Sequence, residues 1–307
     1  VEKFFMLGQI SAALLSFSLL TSPMGIYVGK LQERWQFPSD HLPIGMTFES
    51  LHFVSWNVLD AKFMSWVTEK NSQELSRSLI VDEHVYVRNS KLTMRDQHVV
   101  DILLQMISHP THPRSLLSLQ ECSPLFIKEL RSRLPLHFKI ISNHGEAVLL
   151  NRHSFELVEA KEVSGIFSEM PKRTFQELLI RRLDHGELLR LVNVHLPGSP
   201  AKPGRFEFAK HLADTFDPAL TTVAMGDMNF NELEMSDAMA QAFQNHSPFF
   251  LYSPYCTNIS PYLLKSKAID HFLVYSPEKA PVFLNTPDQI APGLAPMVEL
   301  LQREEGL

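Results

Sequence analysis

The chain has 307 residues, 45% of them hydrophobic and 20% charged, with a formal net charge of −6. That length buries a substantial core, and that charge excludes a broadly basic coat for nonspecific nucleic-acid binding while leaving room for a small cationic cleft. The two cysteines, Cys122 and Cys256, lack C-x-x-C spacing and exclude a disulfide framework.

In chain order, residues 4–28 carry no charge. The run is long enough for a signal peptide or an anchor helix, and it also suits a helix packed on the fold. Glu2 beside Lys3 makes a poor positive region, Gln9 interrupts the run and Pro23 breaks it. The stretches from Ser39 to Phe48 and from Leu51 to Asp60 read as short strands separated by Glu49-Ser50, which predicts an antiparallel hairpin. Such a hairpin sets Asp40 and His41 beside Asn57 and Asp60.

Residues 61–98 form a longer connection with an expected strand at Glu83–Val87. The spacing of Val99, Val100, Leu103, Leu104 and Ile107 predicts an amphipathic helix over 95–107. His109-Pro110-Thr111-His112-Pro113 ends it as a stiff loop rather than a metal site. A buried strand over 115–121 then ends in Glu121, and Ser123-Pro124 opens a helix as N-cap and first helical residue. Cys122 has no local basic partner and reads as an inert thiol.

Further strands are expected at 138–142, 146–151, 175–182 and 188–195. In the last of these, alternation sends Asn193 and His195 to one face. A helix over 205–216 leads to a strand over 221–225 that stops at Gly226-Asp227-Met228-Asn229. The closing strand, 268–274, holds Asp270 near its start, with His271 on the opposite face in a structural role. This order of elements predicts an α+β chain built as a two-layer β-sandwich flanked by helices. No Pro/Gly/Ser linker follows residue 30, so the expected organisation is an apolar segment at 1–30 and a single catalytic domain at 31–307.

Six strings, each at a strand end, together resemble the motifs of the endonuclease/exonuclease/phosphatase (DNase I-like) superfamily. They are Ser39-Asp40-His41-Leu42-Pro43, Ser55-Trp56-Asn57-Val58-Leu59, Leu119-Gln120-Glu121, Asn193-Val194-His195-Leu196, Gly226-Asp227-Met228-Asn229 and Ile269-Asp270-His271-Phe272. In that family the Ser-Asp-His motif closes the domain, whereas here it opens it. The resemblance therefore implies a circularly permuted DNase I-like α/β/β/α fold, with the hairpin joining the relocated strand to its neighbour.

The resemblance also implies roles. Hydrolysis of a phosphate ester needs an activated water and charge stabilisation on the phosphoryl oxygens. Glu121 is the expected Mg²⁺ ligand, with Mn²⁺ an alternative, and Asp40 and Asn57 assist at the metal. Asp227 orients or deprotonates the attacking water, and Asn229 hydrogen-bonds the phosphate. His41, aligned by Asp270, and His195 contact the phosphate. Asn193, Arg173 and Arg205 are candidate substrate contacts.

The expected activity is hydrolysis of nucleic-acid phosphodiesters, because the strings around Ser39 and Ser55 look closest to the deadenylase-like branch. An inositol-phosphate phosphatase or a sphingomyelinase-type phospholipase is the second reading, with membrane association through residues 4–28. A non-catalytic binding scaffold is the third, and the intact acids count against it. Cytoplasmic location is the first expectation, secreted or membrane-anchored the alternatives; oligomeric state stays open.

Overall fold

The structure, a computed structural model, describes residues 39, 41–48, 51–60, 94–108, 115–198, 203–252, 258–260, 265–277 and 282–284. The apolar run at 4–28, Asp40, the turn at 49–50, the expected strand at 83–87, the proline loop at 109–113 and Cys256 lie outside them. Among the described residues no helix is long and apolar enough to cross a membrane.

Ile44–Phe48 (β1) and Leu51–Asn57 (β2) form the expected hairpin, with Ile44 opposite Ser55 and Phe48 opposite Leu51. Ser115–Gln120 (β3) runs parallel to β2, with the helix Met94–Ile107 (α1) in the connection between them. Pro124–Arg133 (α2) follows, its first turn closed by Ser123, whose Oγ accepts from Phe126 N at 3.1 Å. Phe138–Ser142 (β4), Ala147–Asn151 (β5) and Val282–Leu284 (β14) complete a six-stranded sheet in the order β14-β1-β2-β3-β5-β4.

The second sheet repeats the plan. Phe155–Ser164 (β6), Thr174–Arg182 (β7) and Leu188–His195 (β8) run antiparallel. Pro203–Asp214 (α3) then returns the chain to Thr221–Asp227 (β9), parallel to β8. Glu232–Ala242 (α4), Phe250–Tyr252 (β10) and Asp270–Tyr275 (β13) follow, giving the order β10-β13-β9-β8-β7-β6. Asn258–Ser260 (β11) and Lys265–Lys267 (β12) pair apart from both sheets.

Side-chain alternation sorts the layers. Phe53, Leu116, Leu189, Leu191, Val223, Met225 and Phe272 point between the sheets and form one apolar cluster. Val54, Trp56, Leu117 and Leu119 point the other way, under α1 and α2. Val192, Val194, Ala224 and Leu273 pack under α3 and α4. Burying each such large side chain contributes about 1.5–3 kcal/mol, and the outcome is the expected four layers, helix on sheet on sheet on helix.

Each sheet has one parallel pair at its centre, β2–β3 and β8–β9. The inward positions of these strands include Phe53, Leu116, Leu189, Leu191, Val223 and Met225 toward their starts and turn polar toward their ends: Ser55, Asn57, Ser118 and Gln120 in one sheet, Asn193, His195 and Asp227 in the other. Both parallel pairs close at the same end of the sandwich, so the polar residues meet there.

Candidate active site

The site begins where β2 and β9 stop, and both strands stop in the same way. Asn57 Oδ1 accepts from Leu59 N at 3.0 Å, and Asp227 Oδ1 accepts from Asn229 N at 2.9 Å. These side-chain-to-backbone turns leave Leu59 and Asn229 in the left-handed region, at φ 57° and 55°. Glu121, one residue past β3, is also left-handed at φ 57°. A non-glycine residue there costs about 1–2 kcal/mol, and each of the three bends carries a strand out of its sheet at the rim of one gap. Gly226 is bound more tightly still: at φ 151°, a Cβ would sit 1.8 Å from Val194 O. Only glycine lets β9 lie this close to β8 ahead of Asp227.

Asn57 Nδ2 donates to Glu121 Oε1 and to Asp227 Oδ2, both at 3.0 Å. Because Leu59 N holds the oxygen end, Asn57 meets both acids with its donor end; an amide N–H positions the carboxylates and does not itself coordinate a cation. Asp60 N approaches Glu121 Oε2 at 3.3 Å. His195 Nε2 lies 3.7 Å from Glu121 Oε1 and 3.5 Å from Asp227 Oδ2.

His41 reaches the site from ahead of β1. Ser39 Oγ donates to Asn57 O at 2.7 Å and accepts from His41 N at 3.1 Å, while Trp56 Nε1 donates to His41 O at 2.9 Å. The Ser39 and Ser55 strings are therefore one physical unit. His41 Nδ1 lies 2.8 Å from Asp270 Oδ2, and Nε2 lies 3.6 Å from Asp227 Oδ2. Asp270 and Asp227 are direct cross-strand partners. Two carboxylates so placed repel, and the imidazole between them relieves it. Burial pushes the Asp227 carboxyl up from its ordinary value; His41 and Asn57 pull it down, and Asp270 and Glu121 push it further up.

A divalent cation fits this donor set. Ligand atoms of Glu121, His195 and Asp227 lie within 4.8 Å of one another, as do those of His41, Asp227 and Asp270. Glu121 and Asp227 offer the carboxylate oxygens that a hard cation prefers, and both are turned toward the same amide.

The remaining expected residues divide. Asn229 is at the rim, its Nδ2 donating to Leu196 O at 2.9 Å. Arg173 lies against the site, with Nε donating to His195 O at 2.8 Å. Arg205 is turned onto the α3–α4 layer, 3.3 Å from Glu234 Oε1 and stacked about 5 Å from the rings of Phe206 and Phe230. Asn193 does not reach the substrate gap. It lies two residues, about 7 Å, inward of His195, where its Oδ1 accepts from Gln120 Nε2 at 2.8 Å and its Nδ2 donates to Gln176 Oε1 at 3.0 Å. It joins the two sheets under the site. Asp40 lies outside the described residues. His271, in its expected structural place, bonds Phe230 O through Nε2 at 2.6 Å. Burial also pushes the Cys122 thiol well up, in line with an inert group.

Two residues went unread in the sequence. Arg95 donates to Val58 O at 2.7 Å and to Leu59 O at 2.6 Å, clamping the turn after Asn57. Glu146 is buried in the turn ahead of β5, on the Glu121 side. The one available signal for it was an isolated acid between Gly145 and the apolar run Ala147–Leu150.

No protein-family model matches the sequence, and no curated protein matches it. Solved structures do. A D. rerio TDP2 carrying 14 humanising mutations superposes with a TM-score of 0.51 at 12% identity, over 79% of this chain and 86% of that one. An endonuclease/exonuclease/phosphatase family protein from Bacteroides thetaiotaomicron gives a TM-score of 0.51 at 16% identity, over 73% of this chain and 82% of that one. With the sheet order, the four layers and the polar strand ends described above, these likenesses lead to one statement: the chain has the fold of the endonuclease/exonuclease/phosphatase superfamily.

Proposed function

We propose that the protein is a divalent-metal-dependent phosphoesterase, with Mg²⁺ or Mn²⁺ as the cation and a nucleic-acid phosphodiester as the favoured substrate. The observation that carries this reading is the convergence of Glu121, His195, Asp227, His41 and Asp270 around one gap, from five separate segments of the chain. A phosphate ester resists attack because its oxygens are negative and its leaving group is poor. A bound cation supplies Lewis-acid neutralisation of that charge, and Glu121 would hold it.

The chain's own groups supply the rest. Asp227, buried at the end of β9 and facing the gap, is placed to orient a water and take its proton. His41 presents Nε2 toward Asp227 while Asp270 fixes its ring by accepting from Nδ1. His195 and Asn229 stand at the rim as donors for phosphoryl oxygens. The likeness of the strings at Ser39 and Ser55 to deadenylase-like enzymes supports nucleic acid over lipid or inositol phosphate. That Ser39 and His41 precede β1 yet bond to Asn57, Trp56 and Asp270 supports the circularly permuted reading.

The test is hydrolysis of a panel of single-stranded RNA, single-stranded DNA, inositol phosphates and sphingomyelin, each with Mg²⁺ and with EDTA. Metal-dependent cleavage strongest on a nucleic acid is the expected result. Turnover of none of them, nor of bis-p-nitrophenyl phosphate, would support the scaffold reading.

A further inference from the structure

A cleft of about 620 Å³ opens beside the cluster, bounded by Glu121 and His195 at one end. The turn at His144–Glu146 forms one wall and the segment Glu169–Thr174 the other. Its size is that of a small-ligand site. Glu146 lines it at 4% exposure beside the Asn143 amide, and its Oε2 is buried with no hydrogen-bond partner among the described residues.

The turn that carries Glu146 is tied to the turn that carries Glu121. Cys122 N donates to Gly145 O at 2.7 Å, and Asn143 N donates to Glu146 O at 3.0 Å. Gly145, at φ 100°, supplies the bend. The backbone that carries the carboxyl is thus fixed next to the catalytic gap, with the side chain buried. Leaving a buried polar group unpaired is unfavourable, so a ligand that supplies a partner for Oε2 is favoured.

We propose that this cleft receives the ring-bearing group esterified to the scissile phosphate, and that Glu146 reads it through a hydrogen bond to a hydroxyl of a polyhydroxylated ring, the ribose of a nucleotide or a hexose. The proposal rests on the phosphoesterase reading above. A hydroxyl both donates and accepts, so it pairs with Glu146 whether the carboxyl holds its proton or not. Met170, half exposed, and Pro171 give the ring an apolar wall. Arg173, held by its bond to His195 O, keeps positive charge on the phosphate side.

The test compares three esters that release the same p-nitrophenolate: bis-p-nitrophenyl phosphate, the p-nitrophenyl ester of uridine 5′-phosphate and that of glucose 6-phosphate. The readout is the kcat/KM of each ring-bearing ester divided by that of the plain one. In Glu146→Ala this ratio falls about tenfold, the worth of one hydrogen bond; in Glu146→Gln, whose amide also donates and accepts, most of it returns. The ester with the larger fall identifies the ring. An unchanged ratio for both esters in Glu146→Ala overturns the proposal. Calorimetry with uridine 5′-monophosphate and glucose 6-phosphate reads the cleft without turnover. Affinity about tenfold weaker in Glu146→Ala supports it even if no ester is hydrolysed, a result that would sink only the phosphoesterase reading. Equal affinities overturn the cleft assignment.

Discussion

Asn57 and Asp227 hold each other across the two sheets, Nδ2 to Oδ2 at 3.0 Å, while the Oδ1 of each side chain accepts the backbone N–H two residues downstream. Each is at once the last residue of a strand, the lock on the turn that follows and a wall of the site. Position and chemistry are therefore set by the same atoms.

Asp227→Ala removes the group that would take the proton of the attacking water. The expected outcome is a fall in kcat on bis-p-nitrophenyl phosphate of about 10³-fold, with stability changed by less than about 2 kcal/mol in urea denaturation. A variant as fast as wild type would contradict the role.

Asp270→Asn keeps the shape beside His41 but replaces the carboxylate that accepts from Nδ1 at 2.8 Å. The imidazole loses its fixed tautomer and half of its bridge between two acids. Steady-state kinetics should show kcat reduced about 10²-fold with KM changed little. A loss seen mainly in KM would instead make the pair a substrate-binding device.

Arg95 is buried beside Asp96, with Nη2 at 2.5 Å from Oδ1, and its guanidinium also holds the two carbonyls after Asn57. Arg95→Met takes the guanidinium away from the buried Asp96 carboxylate, and breaking a buried ion pair costs about 3–5 kcal/mol. Equilibrium unfolding is the readout, and the double variant Arg95→Met with Asp96→Leu should regain much of the loss. If the single variant unfolds like wild type, the clamp is not what holds this turn.

Burial pushes the Glu146 carboxyl from its ordinary 4.5 up to about 8, against the pull of Arg173 and the Asn143 amide, with Glu162 adding to the rise. The folded protein then binds a proton that the unfolded chain has released. Between about pH 4.5 and pH 8 stability falls as pH rises, because folding favours the protonated acid. Denaturation in EDTA should show this slope in wild type, amounting to a few kcal/mol over the window, and its loss in Glu146→Gln. Identical pH profiles for the two proteins would contradict it.

Much of the site was legible because its residues end strands. An apolar run that stops at Asn, Glu, His or Asp advertises where a buried face reaches its rim, and Asn57, Glu121, His195 and Asp227 were read that way. Alternation alone could not say how deep a residue lies: Asn193 shares its face with His195 yet sits where the sheets have closed together. Arg205 misled for a related reason, since a lone arginine at a helix start shows neither the Glu234 partner nor the two rings that hold it. Glu146 and Arg95 were missed because each acts from outside a strand end, one from a hairpin turn and one from a helix facing the back of a loop. Their partners are brought near only by the fold.

The most direct measurement is an Mg²⁺ titration of bis-p-nitrophenyl phosphate hydrolysis by wild type and by Glu121→Gln, starting from protein stripped with EDTA. The site described here predicts no turnover without metal, recovery on adding Mg²⁺, and a half-saturating concentration at least about tenfold higher in the variant. Full activity in EDTA, or superimposable titrations for the two proteins, would contradict it.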